Sequence, residues 1–400
     1  MARTFPLALI LACGCAVAMI GLGLRSAFGL FQTDLVDVRS WGRDTFSLAF
    51  ALQNLAWGIG QPIAGALADR FGTMRVIVGG TLLYALGIVG TAQLESAMAL
   101  QIAFGVILGL GMSASSFTIV LSAFGRVISP ARRTFAFGLG TASGSLGMFL
   151  FGPLGAVLIS QSGWYTALIV FAGIAVAMIF LAVPLQGRST ADPGAQQQSL
   201  RAALTEALGY RSYVLLVFGF FVCGFHVAFI IAHMPAYLSD LGFGPELGGI
   251  ALALIGLCNV AGSLAAGAIG QRMSKAYALS ALYFMRSLVI IGFVMLPVSA
   301  ASVLVFSAAM GVLWLSTVPL TSGLVAVMFG PRYMATLFGV VFFSHQVGSF
   351  FGVWLGGVIY VETGSYDMLW WIGILLGFAA ALVHLPIRDA PAPRPAAALS

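Results

Sequence analysis

Apolar runs of about 20 residues follow one another along almost the whole chain, and that is the length a helix needs to cross a lipid bilayer. Only 8% of the 400 residues are charged, against 60% hydrophobic. A soluble domain carries about 25% charged residues because its surface must be hydrated. Most of this chain's exterior must therefore face lipid. The runs predict an all-α membrane protein with twelve transmembrane helices, over 5–33, 44–68, 75–93, 97–122, 134–159, 164–184, 212–238, 246–270, 276–297, 301–325, 334–359 and 368–386. The 50 Gly and 15 Pro suit close-packed, locally bent membrane helices better than strands. The first run is expected to remain as a span, because more spans follow it and no processing site is evident.

Charge sets the orientation. Both termini and the connections after even-numbered spans hold fourteen of the eighteen Lys and Arg, including Arg70, Arg75, Arg126, Arg132, Arg133, Arg211, Arg272, Lys275 and Arg332. The opposite connections hold eight of the twelve acids, with Arg39 and Arg43 as their only cations. Basic connections stay in the cytoplasm, so both termini are expected there, in an inner membrane of bacterial type. Trp41, Trp164, Trp370 and Trp371 fall near the outer span ends, as interfacial anchors do. The longest polar stretch, 186–211, contains STADPGAQQQS and reads as a flexible cytoplasmic linker. It divides the spans six and six, giving bundles over 1–185 and 212–388 and a flexible tail over 389–400.

Several function classes are excluded. The spans leave no room for a catalytic domain, and no polar cluster combines nucleophile, base and orienting group, so no enzyme is expected. There is no GxxxxGK[ST] phosphate loop to drive a motor. The net charge of +6 comes from single basic residues between apolar runs, which is no footprint for nucleic acid. Cys13, Cys15, Cys223 and Cys258 sit in apolar stretches without zinc or disulfide spacing. No cofactor or metal site is expected, and a sodium site would lack its usual carboxylate. The expected partners are a small solute, protons and the bilayer, with the chain acting as a monomer.

The two halves repeat. GALADRFGTMR at 65–75 matches GAIGQRMSK at 267–275, offset by 202. Gly138, Gly147, Gly155 and Gly163 recur at Gly339, Gly348, Gly356 and Gly364, each offset by 201, and Pro130 recurs at Pro331. A duplicated six-helix unit follows, the organisation of an alternating-access transporter. The glycine series in spans five and eleven is expected to form a sliding interface between the halves.

On these residues the chain resembles the major facilitator superfamily over nearly its whole length. Gly65-x-x-x-Asp69-Arg70-x-Gly72-x-x-Arg75 is similar to that superfamily's signature between spans two and three. Gly267-x-x-x-Gln271-Arg272-x-x-Lys275 is similar to its degenerate copy, with Gln271 in place of the acid. The resemblance implies a gate, with Asp69 and Arg70 making contacts that hold one conformation and break in the other. Gly65, Gly72, Arg75 and Arg272 complete it. Read from the residues alone, Asp69 among arginines has the alternative of a local salt bridge only. Within the superfamily, 23–31 and 143–147 resemble bacterial members of the monocarboxylate and oxalate/formate branch. Span eight offers Asn259 where monocarboxylate carriers often have Asp and Arg, and span eleven offers His345 where oxalate/formate exchangers have a basic residue.

No Asp or Glu falls near the middle of a span, yet Arg25 and Arg286 lie within spans. Burying a charged side chain there costs at least about 2.5 kcal/mol, so a lone one faces a cavity or a partner. Arg25 has three readings: snorkelling to the interface, pairing with Asp34, or binding an anionic solute. Arg286 either bonds carbonyls and side chains between helices or joins the site; its repeat counterpart is Tyr84. A histidine can change protonation near neutral pH, which makes His226 and His345 the candidates for proton coupling, unless they are neutral and bond across helices. Asn54, Asn259, Trp314, Thr317, Thr321 and Gln346 offer orienting contacts or a stacking surface. Together they predict a secondary transporter for a small organic anion, by proton symport or anion exchange. The same fold serves neutral or aromatic solutes and export of hydrophobic compounds, which is the other reading.

Overall fold

The computed structural model describes residues 5–40, 43–93, 95–187 and 199–393. Its first half comprises α1 (Leu7–Ala27), α2 (Gln32–Arg39), α3 (Arg43–Phe71), α4 (Thr73–Gln93), α5 (Ala97–Leu100), α6 (Leu108–Ser115), α7 (Phe117–Val127) and α8 (Pro130–Leu181). After α9 (Leu200–Gly209) come α10 (Arg211–Asp240), α11 (Pro245–Arg272), α12 (Lys275–Met295), α13 (Ala300–Leu313), α14 (Thr317–Phe329), α15 (Met334–Thr363) and α16 (Asp367–His384). Among the described residues, ten helical stretches are long and apolar enough to cross a membrane. They leave large apolar side chains such as Leu86, Phe180, Phe218, Val305 and Leu382 exposed. Water would penalise that surface, and lipid does not.

Two repeat-related glycines turn the chain. Gly163 has φ 77° inside α8, and Gly364 has φ 69° at the end of α15. Only glycine adopts this left-handed region without strain. Gly163 therefore divides α8 into two helices, spans five and six, over 130–162 and 164–181.

Two expected spans are not continuous. Span four passes through wide turns over 101–107 and breaks at Ser116, which has extended φ −71° and ψ 159°. Ser113 and Ser115 each donate a hydroxyl to a carbonyl three or four residues back, which competes with helical hydrogen bonding. Span ten breaks between α13 and α14, where Trp314 has φ −55° and ψ −80°. Pro319 explains that break: it lacks an N–H, and its ring clashes with a helical carbonyl four residues earlier, at Leu315.

The linker and the tail also differ from expectation. Part of the linker is helical, as α9, with Ser199 capping the Ala202 N–H at 3.1 Å. The segment STADPGAQQQS falls mostly outside the described residues, as does Trp41. The start of the tail is docked: Asp389 accepts from the Lys275 N–H at 2.8 Å, and the Ala392 N–H donates to Met328 O at 2.9 Å.

Helices α3 and α15 pack together, as do α8 and α11, and both pairs join the first half of the sequence to the second. A Cβ on Gly138 would lie 2.7 Å from Ser263 O on α11, and one on Gly339 would lie 2.9 Å from Pro62 Cα on α3. Gly147 and Gly348 instead face helices of their own half, against the carbonyls of Met19 on α1 and Phe221 on α10. The expected sliding interface is therefore confined to Gly138 and Gly339, while Gly147 and Gly348 set packing within each half. Gly147→Val should drive a side chain into the Met19 carbonyl and cost more than about 3 kcal/mol. Gly152→Ala, facing open space, is the control and should stay within about 0.5 kcal/mol. Thermal unfolding of the two variants in detergent checks this.

Candidate functional site

Four polar residues singled out in the sequence converge between α1, α3 and α15. Arg25 projects from the end of α1 and donates from Nη2 to Asn54 Oδ1 at 2.7 Å. Its guanidinium lies 5.7 Å from the Phe50 ring centroid and 5.1 Å from that of Trp57. Phe50, Asn54, Trp57 and Gln61 are spaced by four, three and four, which puts all of them on one face of α3. Arg25 Nε is buried without a partner. Asp34 is not its partner, and among the described residues no carboxylate neutralises it. Rings with a negative face suit a cation here, but they do not cancel its charge.

Helix α15 closes the cluster. Gln346 donates from Nε2 to Asn54 O at 3.3 Å. His345 Nδ1 lies 2.9 Å from Gln346 Oε1, an acceptor, so the ring proton belongs on Nδ1. The His345 ring stacks on Phe342 with centroids 5.2 Å apart and planes 8° apart, and Phe342 packs on Trp57 at 4.9 Å. Trp57 Nε1 and Ser116 Oγ both donate to Gln61 Oε1, at 3.1 and 2.9 Å, tying the cluster to the break in span four. Phe50, Trp57, Gln61 and Phe342 were not among the sequence candidates. Their spacing from Asn54 and His345 on the same helix faces was the available signal.

The remaining candidates form a separate group in the second half. Arg286, 1% exposed, donates from Nε and Nη2 to Leu313 O at 3.1 and 2.6 Å, and from Nη2 to Trp314 O as well. It satisfies carbonyls that the span-ten break has freed, and it does not meet Arg25. Asn259 Oδ1 accepts the Leu315 N–H at 2.9 Å on the other side of that break. Thr317 Oγ1 lies 3.2 Å from Cys223 Sγ, while Thr321 is buried with its hydroxyl unpartnered. The Trp314 indole is buried with Nε1 unpartnered. His226 Nε2 donates to Gly373 O at 2.7 Å and so turns toward α16, away from His345's cluster.

At the far end of α3 the residues of the span two–three signature meet α15. Asp69 Oδ2 accepts from the Thr336 N–H at 3.0 Å and from the Thr336 hydroxyl at 2.8 Å. A carboxylate at a helix N-terminus also meets the positive end of the helix dipole. Asp69 is thus a cap on α15 rather than only a local ion pair. Gly65 lets α3 lie against the Ala335 backbone, and Gly72 turns the chain at φ 94°. Arg70 stacks on Phe71 at 5.1 Å, while Arg75 and Arg272 are exposed. Leu67, Asp69, Arg70, Leu200, Arg332 and Tyr333 line a cavity of about 400 Å³ there. Among the described residues, no group of three His, Cys, Asp or Glu is placed to hold a metal ion.

Known proteins share this architecture. The fucose–proton symporter FucP of E. coli, in its outward conformation, matches with a TM-score of 0.72 at 14% identity, covering 96% of this chain and 99% of its own. The uncharacterised MFS-type transporter YcxA of Bacillus subtilis is 24% identical over 387 residues, 93% of each chain. Rat monocarboxylate transporter 13 is 24% identical over 371 residues, 91% of this chain and 85% of its own. The Major Facilitator Superfamily model matches residues 10–353. With the gate signature, the helical architecture and that match together, the chain belongs to the Major Facilitator Superfamily, a family of membrane transporters and not of enzymes.

Proposed function

We propose that the chain is a secondary transporter that carries a small organic anion across a bacterial-type inner membrane by alternating access. Twelve spans in two pseudo-symmetric six-helix bundles, with both termini cytoplasmic, are part of this reading. The observation that carries it is Arg25: an intramembrane guanidinium with a neutral amide as its partner and no carboxylate among the described residues. An arginine keeps its proton at physiological pH, so an anion that displaces or shares Asn54 compensates its charge. His345, joined to Gln346 in the same cluster, is the proton-coupling residue in this reading. His226 is already engaged with a carbonyl. Similarity to a monocarboxylate transporter supports an anionic solute and a place near the monocarboxylate and oxalate/formate branch.

The aromatic walls, Phe50, Trp57 and Phe342, favour a second reading in which the solute is neutral and aromatic. Counterflow into proteoliposomes separates the two. With a panel of carboxylates, nucleosides and vitamins, carboxylate exchange should dominate, and an inward proton gradient should accelerate net uptake if coupling is by symport. Transport confined to neutral solutes would defeat the anion reading.

A further inference from the structure

A directed line of hydrogen bonds crosses the molecule from the break in span ten to the first half of the chain. The Leu315 N–H donates to Asn259 Oδ1 at 2.9 Å. Asn259 Nδ2 donates to Ser145 Oγ on α8 at 2.6 Å, and Ser145 Oγ donates to Thr141 O at 3.1 Å. Ser263 Oγ adds a bond to Asn259 Oδ1 at 3.1 Å. Asn259, Ser145 and Ser263 are each 0% exposed, so no water substitutes for any of them. A helical Leu315 N–H would bond its own helix; here the Trp314 geometry frees it, and Asn259 takes it. Arg286 holds the carbonyl side of the same break at Leu313 and Trp314.

The equivalent break in the first half is built differently. Gln61 accepts the Ser116 hydroxyl and the Trp57 indole, and these bonds stay within that half. Tyr84, at the repeat position of Arg286, donates to Gly21 O instead of to the break. On the α3–α15 side the bonds between halves are Gln346 to Asn54, inside the solute cluster, and Thr336 to Asp69, at the far end of α3. On the α8–α11 side it is Asn259 to Ser145, which no solute at Arg25 needs to touch.

We propose that Asn259 is a positioning residue, a latch that couples the bend of span ten to α8 and holds the Asp69 end of the molecule closed. When that end opens, the bond to Ser145 breaks and the Leu315 N–H is left on Asn259 alone. The inference rests on alternating access, but not on the charge of the solute.

Hydrogen exchange by mass spectrometry on the full chain in lipid nanodiscs tests it, with no solute required. Asn259→Ala and Ser145→Ala should each speed exchange about fivefold at 134–142 and 334–340, the effect of one buried hydrogen bond on the closing equilibrium. The double variant should add little to either single one. Exchange across α16 should stay unchanged, because a shifted equilibrium is local and a damaged core is not. Asp69→Ala is the internal reference, since it removes the cap on α15. If Asp69→Ala speeds exchange at 334–340 and neither latch variant does, the latch is wrong while alternation stands. If none of the three does, alternation and latch fall together. Additive effects of the two latch variants, or faster exchange throughout α16, would make Asn259 an ordinary packing residue and overturn the proposal.

Discussion

Arg25→Gln should bind the anionic solute roughly 10- to 150-fold more weakly than wild type, the range for losing hydrogen bonds to a charged group. Gln is shorter and gives up the bond to Asn54, but it also removes the cost of a buried unpaired charge, so folding should survive and thermal unfolding without solute should change little. Arg25→Lys retains the charge but loses the planar, two-pronged donor pair that matches a carboxylate. It should bind with intermediate affinity and transport weakly. The decisive measurement is solute-dependent thermal stabilisation of the three proteins at one concentration. Unchanged affinity in Arg25→Gln, or a best ligand that is neutral, would remove Arg25 as the anion anchor and leave the aromatic walls to carry recognition.

Asp69→Ala should leave the solute site intact and slow the cycle. Asp69 sits at the far end of α3 from Arg25, and its Oδ2 holds both the N–H and the hydroxyl of Thr336. Removing it leaves a buried donor pair at the start of α15 without an acceptor, which should shift the closed–open equilibrium by about tenfold or more. Uptake into proteoliposomes should fall by about that factor. Binding in detergent, where both faces are accessible, should hold within about twofold. A parallel loss of binding and uptake in a folded variant would mean that Asp69 acts on the solute directly.

The split between these two variants follows from what each residue touches. Arg25 contacts rings and an amide in the membrane interior, so its loss is read in affinity. Asp69 bonds the backbone and hydroxyl of another helix, with Arg126 near it, so its loss is read in rate. Asn259 falls in the second class although it lies at membrane depth, because both of its strong bonds go to protein groups.

Helical spans were legible in the sequence because they depend on local composition: about 20 apolar residues in lipid have no alternative to helix. Gly163 and Gly364, matched in the sequence, both take positive φ, but with ψ of 161° and 10° they turn the chain differently. The signature around Asp69 was legible as a motif, but its acceptor role was not, because Thr336 is 267 positions from Asp69. Arg25 and Asn54 were both visible as expensive polar residues, and only packing brought them together across 29 positions with Trp57 and Phe342 as walls. Arg286 shows the opposite case. Its charge left open a solute ligand or a bond to carbonyls between helices, and tertiary structure turned it onto the Leu313 and Trp314 carbonyls. Composition and periodicity thus determined that this chain crosses a membrane as helices, because lipid acts on each segment separately. Which polar groups remain open to a solute was decided by tertiary structure, because a hydrogen bond needs its partner within about 3 Å, and only the folded chain sets that distance.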